Sequence, residues 1–261
     1  MAVDAHIHLD QYPDDRRLPL VGRAASAGVE GMVAVSMGFP SFAVVGELAS
    51  RYPGLILPAY GHHPEQPPLK AEELDRMLAW IRERKHEPFA IGEVGLPYYM
   101  RTETEASGEP FDEAPYLAQL EAFVKLAAEL DRPIALHAVY EDADKALDLL
   151  ERYRVRRAHF HWFKGSEAAV RRIAANRYMI SITPDVLYEP EIRELAANVP
   201  LELLMTETDG PWPFEGPFSG RETVPEMVLA VAREIASIRG LGEKDTAERL
   251  AANAKRFYGI G

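Results

Sequence analysis

Eight apolar segments of strand length, separated by stretches with helical spacing, constrain this 261-residue chain more than any single motif does. They are Val3–Leu9, Gly31–Met37, Leu55–Gly61, Phe89–Leu96, Pro133–Val139, Arg157–Phe163, Tyr178–Pro184 and Leu203–Asp209. Most are rich in branched or aromatic residues and too short for helices. Between them, Leu74, Met77, Leu78 and Ile81 share one helix face, as do Leu117, Leu120, Phe123, Val124 and Ala127. Val170, Ile173 and Ala174 repeat the pattern, as do Val228, Val231, Ile235 and Ile238. Alternation of this kind implies a parallel sheet, because parallel strands need crossover helices. Eight units match the roughly 250 residues of a TIM (β/α)8 barrel, and a doubly wound open sheet is the competing fold. No Ser/Gly linker, low-complexity tract or close repeat interrupts the pattern, so one domain over 1–261 is expected.

The positions of the ionisable residues favour the closed barrel, which brings many strand ends to one centre. In the first segment, Asp4-Ala5-His6-Ile7-His8, the histidines share one strand face and Val3, Ala5, Ile7 and Leu9 share the other. Glu93 ends the fourth strand with Ile91 below it. His137 ends the fifth on the face of Ala135, and His161 the sixth on the face of His159. Asp209 ends the eighth on the face of Leu203, Met205 and Glu207. Imidazoles and carboxylates together suit Zn, Mn or Fe, and carboxylates with water also accept Mg. A cation removes the cost of burying unpaired carboxylates at an apolar strand end. The plainer reading is a hydrogen-bonded polar cluster without metal.

Further motifs carry a family resemblance. Asp4-Ala5-His6-Ile7-His8-Leu9-Asp10, Gly61-His62-His63-Pro64 and Ile91-Gly92-Glu93-Val94-Gly95-Leu96 come first. Pro133-Ile134-Ala135-Leu136-His137, His161-Trp162-Phe163-Lys164-Gly165-Ser166, Thr206-Glu207-Thr208-Asp209-Gly210-Pro211 and Asn253-Ala254-Lys255-Arg256-Phe257-Tyr258-Gly259 follow. In this order, and over nearly the whole chain, they resemble the TatD-type metal-dependent hydrolases of the amidohydrolase superfamily. The resemblance implies a TIM barrel, one or two divalent metal ions per chain, and phosphodiester hydrolysis as a deoxyribonuclease of 3′–5′ exonuclease type. It implies that His6 and His8 hold one ion, His137 and His161 the other, with Glu93 bridging. Asp209 would complete the first site and act as general base toward the attacking water. His63 would contact a substrate phosphate.

The chain departs from that pattern at Pro97, at Ala138-Val139 after His137, and at Trp162 and Lys164. The changes spare every ligand position but remove a polar group and an arginine near the substrate, and Lys164 would restore some positive charge. His159 and Glu207 lie one layer beneath His161 and Asp209, the first as a core histidine or a support for the site, the second as a carboxylate orienting a metal-bound histidine. His62, Asp10 and His86 read as structural, a loop cap and a solvated helix end. Tyr98, Tyr99, Trp162 and Trp212 should rim the mouth. The acidic stretch Thr102–Pro110 reads as a mobile lid or rim loop.

Composition bounds the partners. With 29 Lys and Arg against 41 Asp and Glu, the net charge is −12, which argues against a surface that coats nucleic acid. It leaves room for a nuclease whose positive charge comes from metal ions. The expected partner is DNA or a small phosphoester. A small-molecule phosphoester, lactone or amide hydrolase is the alternative enzyme, and a non-catalytic metal- or partner-binding barrel the alternative of another class. The absence of cysteine removes disulfides, thiolate ligands and a cysteine nucleophile. No membrane-length apolar run and no leader pattern are visible, so a cytoplasmic protein is expected; a monomer or weak oligomer is the accompanying expectation, on which the sequence itself is silent.

Overall fold

The computed structural model describes residues 1–261. Strands β1 (Ala2–Ile7), β2 (Val29–Ala34), β3 (Ile56–Tyr60), β4 (Ala90–Gly95), β5 (Ile134–His137), β6 (Ala158–Phe160), β7 (Met179–Ile182) and β8 (Leu204–Thr206) pair in chain order. Every adjacent pair in this eight-stranded sheet is parallel. Around them run α1 (Asp14–Ala27), α2 (Phe39–Arg51), α3 (Ala71–Glu83), α4 (Tyr98–Ala106), α5 (Ala114–Leu130), α6 (Glu141–Arg152), α7 (Glu167–Ala175), α8 (Pro190–Asn198), α9 (Val228–Arg239) and α10 (Glu243–Tyr258). The architecture is a TIM barrel, as the alternating pattern requires.

The helical faces read from the sequence pack as expected. Met77, Leu78 and Ile81 of α3, Leu120, Phe123, Val124 and Ala127 of α5, Ile173 of α7, and Val228, Val231 and Ile235 of α9 are buried. Leu74, Leu117, Val170, Ala174 and Ile238 pack half-buried against the same core. No helix is long and apolar enough to cross a membrane.

The barrel closes through polar groups rather than a β1–β8 ladder. Thr206 Oγ1 donates to Val3 O at 2.7 Å, Asp209 N donates to His6 O at 2.9 Å, and His8 N donates to Gly210 O at 2.8 Å. Buried Asp4 accepts from Thr208 N at 2.9 Å and from Thr208 Oγ1 at 2.6 Å. This seam fixes Asp209 relative to His6 of β1 and His8 just beyond it.

Two strands carry an extra residue where they deliver site groups. Between Ile91↔Ile134 and Val94↔Leu136, three steps on β4 oppose two on β5. Between Asp4↔Met32 and Ile7↔Ala34 the same mismatch occurs on β1. Such bulges re-aim side chains and are common beside active sites. Simple alternation through Ile91 and Glu93 is therefore broken, although Glu93 still points into the barrel mouth.

The ladders are also shorter than the apolar segments. β6 ends at Phe160 and β8 at Thr206, so His161 and Asp209 sit just beyond hydrogen-bonded strand. Asp209 adopts a positive φ of 49° there. The stretch expected as a mobile acidic loop is helical through Ala106. Thr102 Oγ1 donates to Tyr98 O at 2.8 Å and Thr104 Oγ1 to Met100 O at 2.7 Å. Arg101, nearly buried, meets Glu141 at 2.8 Å and Asp142 at 3.1 Å. Polar anchoring holds this helix where its sequence offers no broad apolar stripe.

Candidate metal centre

The six residues expected as ligands converge at the C-terminal mouth of the barrel, and all are buried. Glu93 stands at their centre. Its Oε2 lies 3.1 Å from His6 Nε2 and 3.0 Å from His8 Nε2. Its Oε1 lies 2.9 Å from His137 Nδ1 and 2.7 Å from His161 Nε2. Asp209 Oδ1 completes the first group, 3.5 Å from both His6 Nε2 and His8 Nε2. His161 Nε2 and His137 Nδ1 are 3.3 Å apart. His6 stacks on His161 with ring centroids 3.8 Å apart.

One carboxylate thus divides the cluster into two donor groups. Nitrogen and oxygen donors about 2.0–2.2 Å from a zinc ion in tetrahedral array stand roughly 3.3–3.5 Å from each other. The donor pairs here span 2.7 to 3.5 Å. Asp209 Oδ1 is buried without a hydrogen-bond partner. The Glu93 pairs, at 2.7–3.1 Å, are at hydrogen-bond distance and would open by a few tenths of an ångström around an ion; donor type and the unpartnered oxygen fit a divalent cation, and the share of imidazole favours Zn, Mn or Fe over Mg.

Without metal the cluster is charge-frustrated. Burial alone would push the Glu93 carboxyl up, but the imidazoles of His63, His161 and His6 hold it well below the usual carboxylate range. Burial pulls His161 down, yet Glu93 and Glu207 outweigh it and raise it well above the ordinary histidine value. His137 is raised to about 9, because Glu65 and Glu93 outweigh burial. His6 is held well below its ordinary value by burial and by His161. Burial pushes the Asp209 carboxyl up to about 7, with Glu93 and Glu207 opposing the lowering effect of His161 and His8. Protons on imidazole stand where cations fit.

Glycine makes the geometry possible at two points. A Cβ on Gly95 would lie 1.9 Å from His137 O, and one on Gly61 would lie 2.6 Å from Glu93 O. The backbones carrying His63, Glu93 and His137 therefore approach more closely than any side chain allows.

The surrounding residues sort unevenly against expectation. His63 Nε2 lies 3.5 Å from Glu93 Oε2 and faces the mouth. Lys164 lines the mouth, its ammonium 5.7 Å from the Trp162 ring centroid. His159 is a core histidine, bonded to Ser181 Oγ and, at 2.6 Å, to the hydroxyl of Tyr258. Glu207 Oε1 accepts the Trp162 backbone N–H at 2.6 Å, while its nearest imidazole nitrogen, His161 Nδ1, is 3.8 Å away. It braces the loop after β6, and its contact with the His161 ring is an ion pair at 3.8 Å rather than a hydrogen bond. His62 bonds Pro67 O at 3.0 Å, Asp10 accepts from Ser41 Oγ at 2.6 Å, and His86 is exposed.

Two carboxylates have roles that the motifs do not announce. Asp4 lies inside the first motif, but its partner Thr208 is 204 residues away. Glu65 directly follows the Gly61–Pro64 motif. Its Oε1 accepts from Tyr99 N at 2.9 Å, its Oε2 accepts from Met100 N at 2.7 Å, and Oε1 lies 3.4 Å from His137 Nε2. The only hint was position, two residues after an inward-facing histidine.

Above the cluster opens a cavity of about 700 Å³, within the range of small-ligand sites. Tyr99, Trp162 and Trp212 form aromatic walls, and Lys164 is the only Lys or Arg among lining residues that include Glu65 and Glu103.

A parallel barrel with this cluster at its C-terminal mouth belongs to the metal-dependent hydrolases. The chain is a member of the family described as TatD related DNase, whose model matches residues 3–259. An uncharacterized metal-dependent hydrolase of Haemophilus influenzae is 36% identical over 99% of both chains. The human protein named deoxyribonuclease TATDN3 is 28% identical over 98% of this chain and 94% of its own. Among solved structures, the TatD homologue YJJV of Escherichia coli superposes with a TM-score of 0.84 at 26% identity, covering 100% of this chain and 98% of that one.

Proposed function

We propose that the chain, acting as one catalytic domain over residues 1–261, hydrolyses phosphodiesters, with the end of a DNA strand as substrate. The observation that carries this reading is the Glu93 carboxylate shared between two histidine pairs at 2.7–3.1 Å. His6, His8 and Asp209 would hold one divalent ion, His137 and His161 the other, with Glu93 common to both. Bound ions supply Lewis acidity toward water and toward charge developing on a phosphoryl oxygen. Asp209, at the floor of the mouth, would also accept the proton of the attacking water. His63 and Lys164 face the phosphate from the rim. The name of the human relative, deoxyribonuclease TATDN3, supports DNA as the substrate class.

One observation favours a smaller substrate. A mouth with a single lysine and the carboxylates of Glu65 and Glu103 suits one phosphodiester better than a long polyanion. A panel separates these readings. Zinc- or manganese-loaded protein is assayed on a labelled single-stranded oligonucleotide, bis(p-nitrophenyl) phosphate, a lactone and an amide. Shortening of the oligonucleotide from its 3′ end is expected. Turnover of lactone or amide with neither phosphodiester cleaved refutes the proposal.

A further inference from the structure

We propose that Glu65 is a positioning residue that couples helix α4, a wall of the substrate mouth, to His137 in the metal centre. The inference rests on the metal-centre reading above. Two sets of contacts meet on one side chain. The first secures the start of α4. Pro97 precedes the helix and gives no side-chain cap, so the first-turn N–H groups need an outside acceptor. The two oxygens of Glu65 take the N–H groups of Tyr99 and Met100. A carboxylate also complements the positive end of the helix dipole.

The second contact reaches the centre. His137 Nε2 is buried, has no hydrogen-bond partner, and lies 3.4 Å from Glu65 Oε1. Its other nitrogen, Nδ1, lies 2.9 Å from Glu93 Oε1. A histidine that directs one nitrogen toward a cation carries its hydrogen on the other, and a carboxylate there fixes tautomer and ring orientation. Glu65 stands where that acceptor is needed.

Tyr99 and Glu103, both on α4, line the cavity. Glu65 therefore ties the part of the mouth that meets substrate to a residue that meets metal. Ordering of either end lowers the cost of ordering the other, which links zinc binding to the stability of the first turn of α4.

The test uses the full chain, Glu65→Ala and Glu65→Gln, with zinc alone as the probe. Zinc affinity is measured by chelator competition, and hydrogen exchange is followed at the amides of Tyr99 and Met100. The expected results are a zinc affinity about 10–100-fold weaker in Glu65→Ala, faster exchange at both amides, and partial recovery of both by Glu65→Gln, whose amide oxygen still accepts. In the wild type, zinc should slow exchange at the same two amides. A plain helix cap would speed exchange and leave zinc affinity unchanged, and that result overturns the proposal. So does a wild type whose Tyr99 and Met100 exchange ignores zinc. If Glu65→Ala does not fold, Glu65→Gln and the wild-type zinc response carry the test. A wild type that binds zinc but cleaves no phosphodiester refutes the hydrolytic reading and leaves this one standing.

Discussion

Replacing Glu93 with glutamine keeps the shape of the side chain, removes one negative charge and turns one oxygen into an amide nitrogen. Each oxygen of Glu93 serves a different histidine pair, at 3.0–3.1 Å on one side and 2.7–2.9 Å on the other. An amide nitrogen has no lone pair to offer a cation. Whichever way the amide turns, one donor group loses its carboxylate and keeps only imidazole, with Asp209 in one of the two cases. The expected consequence is one bound ion fewer per chain than in the wild type. Loss of an ion that shares the charge of the transition state should lower kcat at least about 100-fold, or about 2.7 kcal/mol at roughly 1.36 kcal/mol per decade. Steady-state hydrolysis of bis(p-nitrophenyl) phosphate measures the rate, and atomic emission on gel-filtered protein measures the metal. A thermal melt of the zinc-loaded variant controls for misfolding. A folded Glu93→Gln chain with wild-type metal content and near-wild-type kcat would refute the bridging role and the hydrolytic mechanism built on it.

Two further outcomes follow from the same geometry. Gly95→Ala forces a Cβ against the His137 carbonyl, 1.9 Å away, so β4 and β5 must separate. A loss of about 1–3 kcal/mol is expected, read as a lower Tm together with weaker zinc binding, and an unchanged melt would sink the close-approach argument. In the metal-free chain His137 is raised from 6.5 to about 9. Its proton thus stabilises the metal-free fold fully below pH 6.5, and that contribution fades as pH rises through about 9. Zinc needs the unprotonated ring, so apparent zinc affinity should climb as pH rises toward about 9, with His161, also raised, adding to the slope. Chelator competition across the range checks this, and a flat profile would count against His137 as a ligand.

The parts of the site that were legible share a local signature. His6 and His8 announce themselves by two-residue spacing on an apolar strand, and Glu93, His137 and His161 by falling at the ends of such strands. Those signals survive bulges on β1 and β4, because each group needs only to reach the mouth and the extra residue supplies the aim. Glu65 and Asp4 carry no local signature. Glu65 acts on residues 34 and 35 positions away, and Asp4 on one 204 away. The Asp4 contact exists only once the barrel has closed, and the Glu65 contacts only once β3 and β4 lie side by side. Helix α4 was hidden for a related reason. Thr102, Glu103, Thr104 and Glu105 lack an apolar stripe, and what holds the helix is Glu65 at its start and the ion pairs of Arg101 at its flank. Periodicity reports helices that bury an apolar face and is silent about those held by polar anchors.

The carboxylates at the mouth are balanced by imidazole rather than by lysine or arginine. Buried carboxylates are costly unless something positive faces them. At this end of the barrel Glu93 and Asp209 are buried among histidines, with no lysine or arginine in salt-bridge contact with either. An arginine aimed at Glu93 would satisfy it permanently and close the position to a cation. Imidazole behaves differently, because it can hold a proton while metal is absent and release it to become a ligand. A centre built only from histidine and carboxylate therefore stays compatible with both states, and its net charge is completed by what it binds. The same economy explains the mouth. With divalent ions beneath it, a phosphate needs little further positive charge from the rim, and Lys164 stands alone there among Glu65, Glu103 and the aromatic walls. On the proposed phosphodiester reading, a net charge of −12 would repel the length of a polyanion while the centre attracted a single phosphodiester.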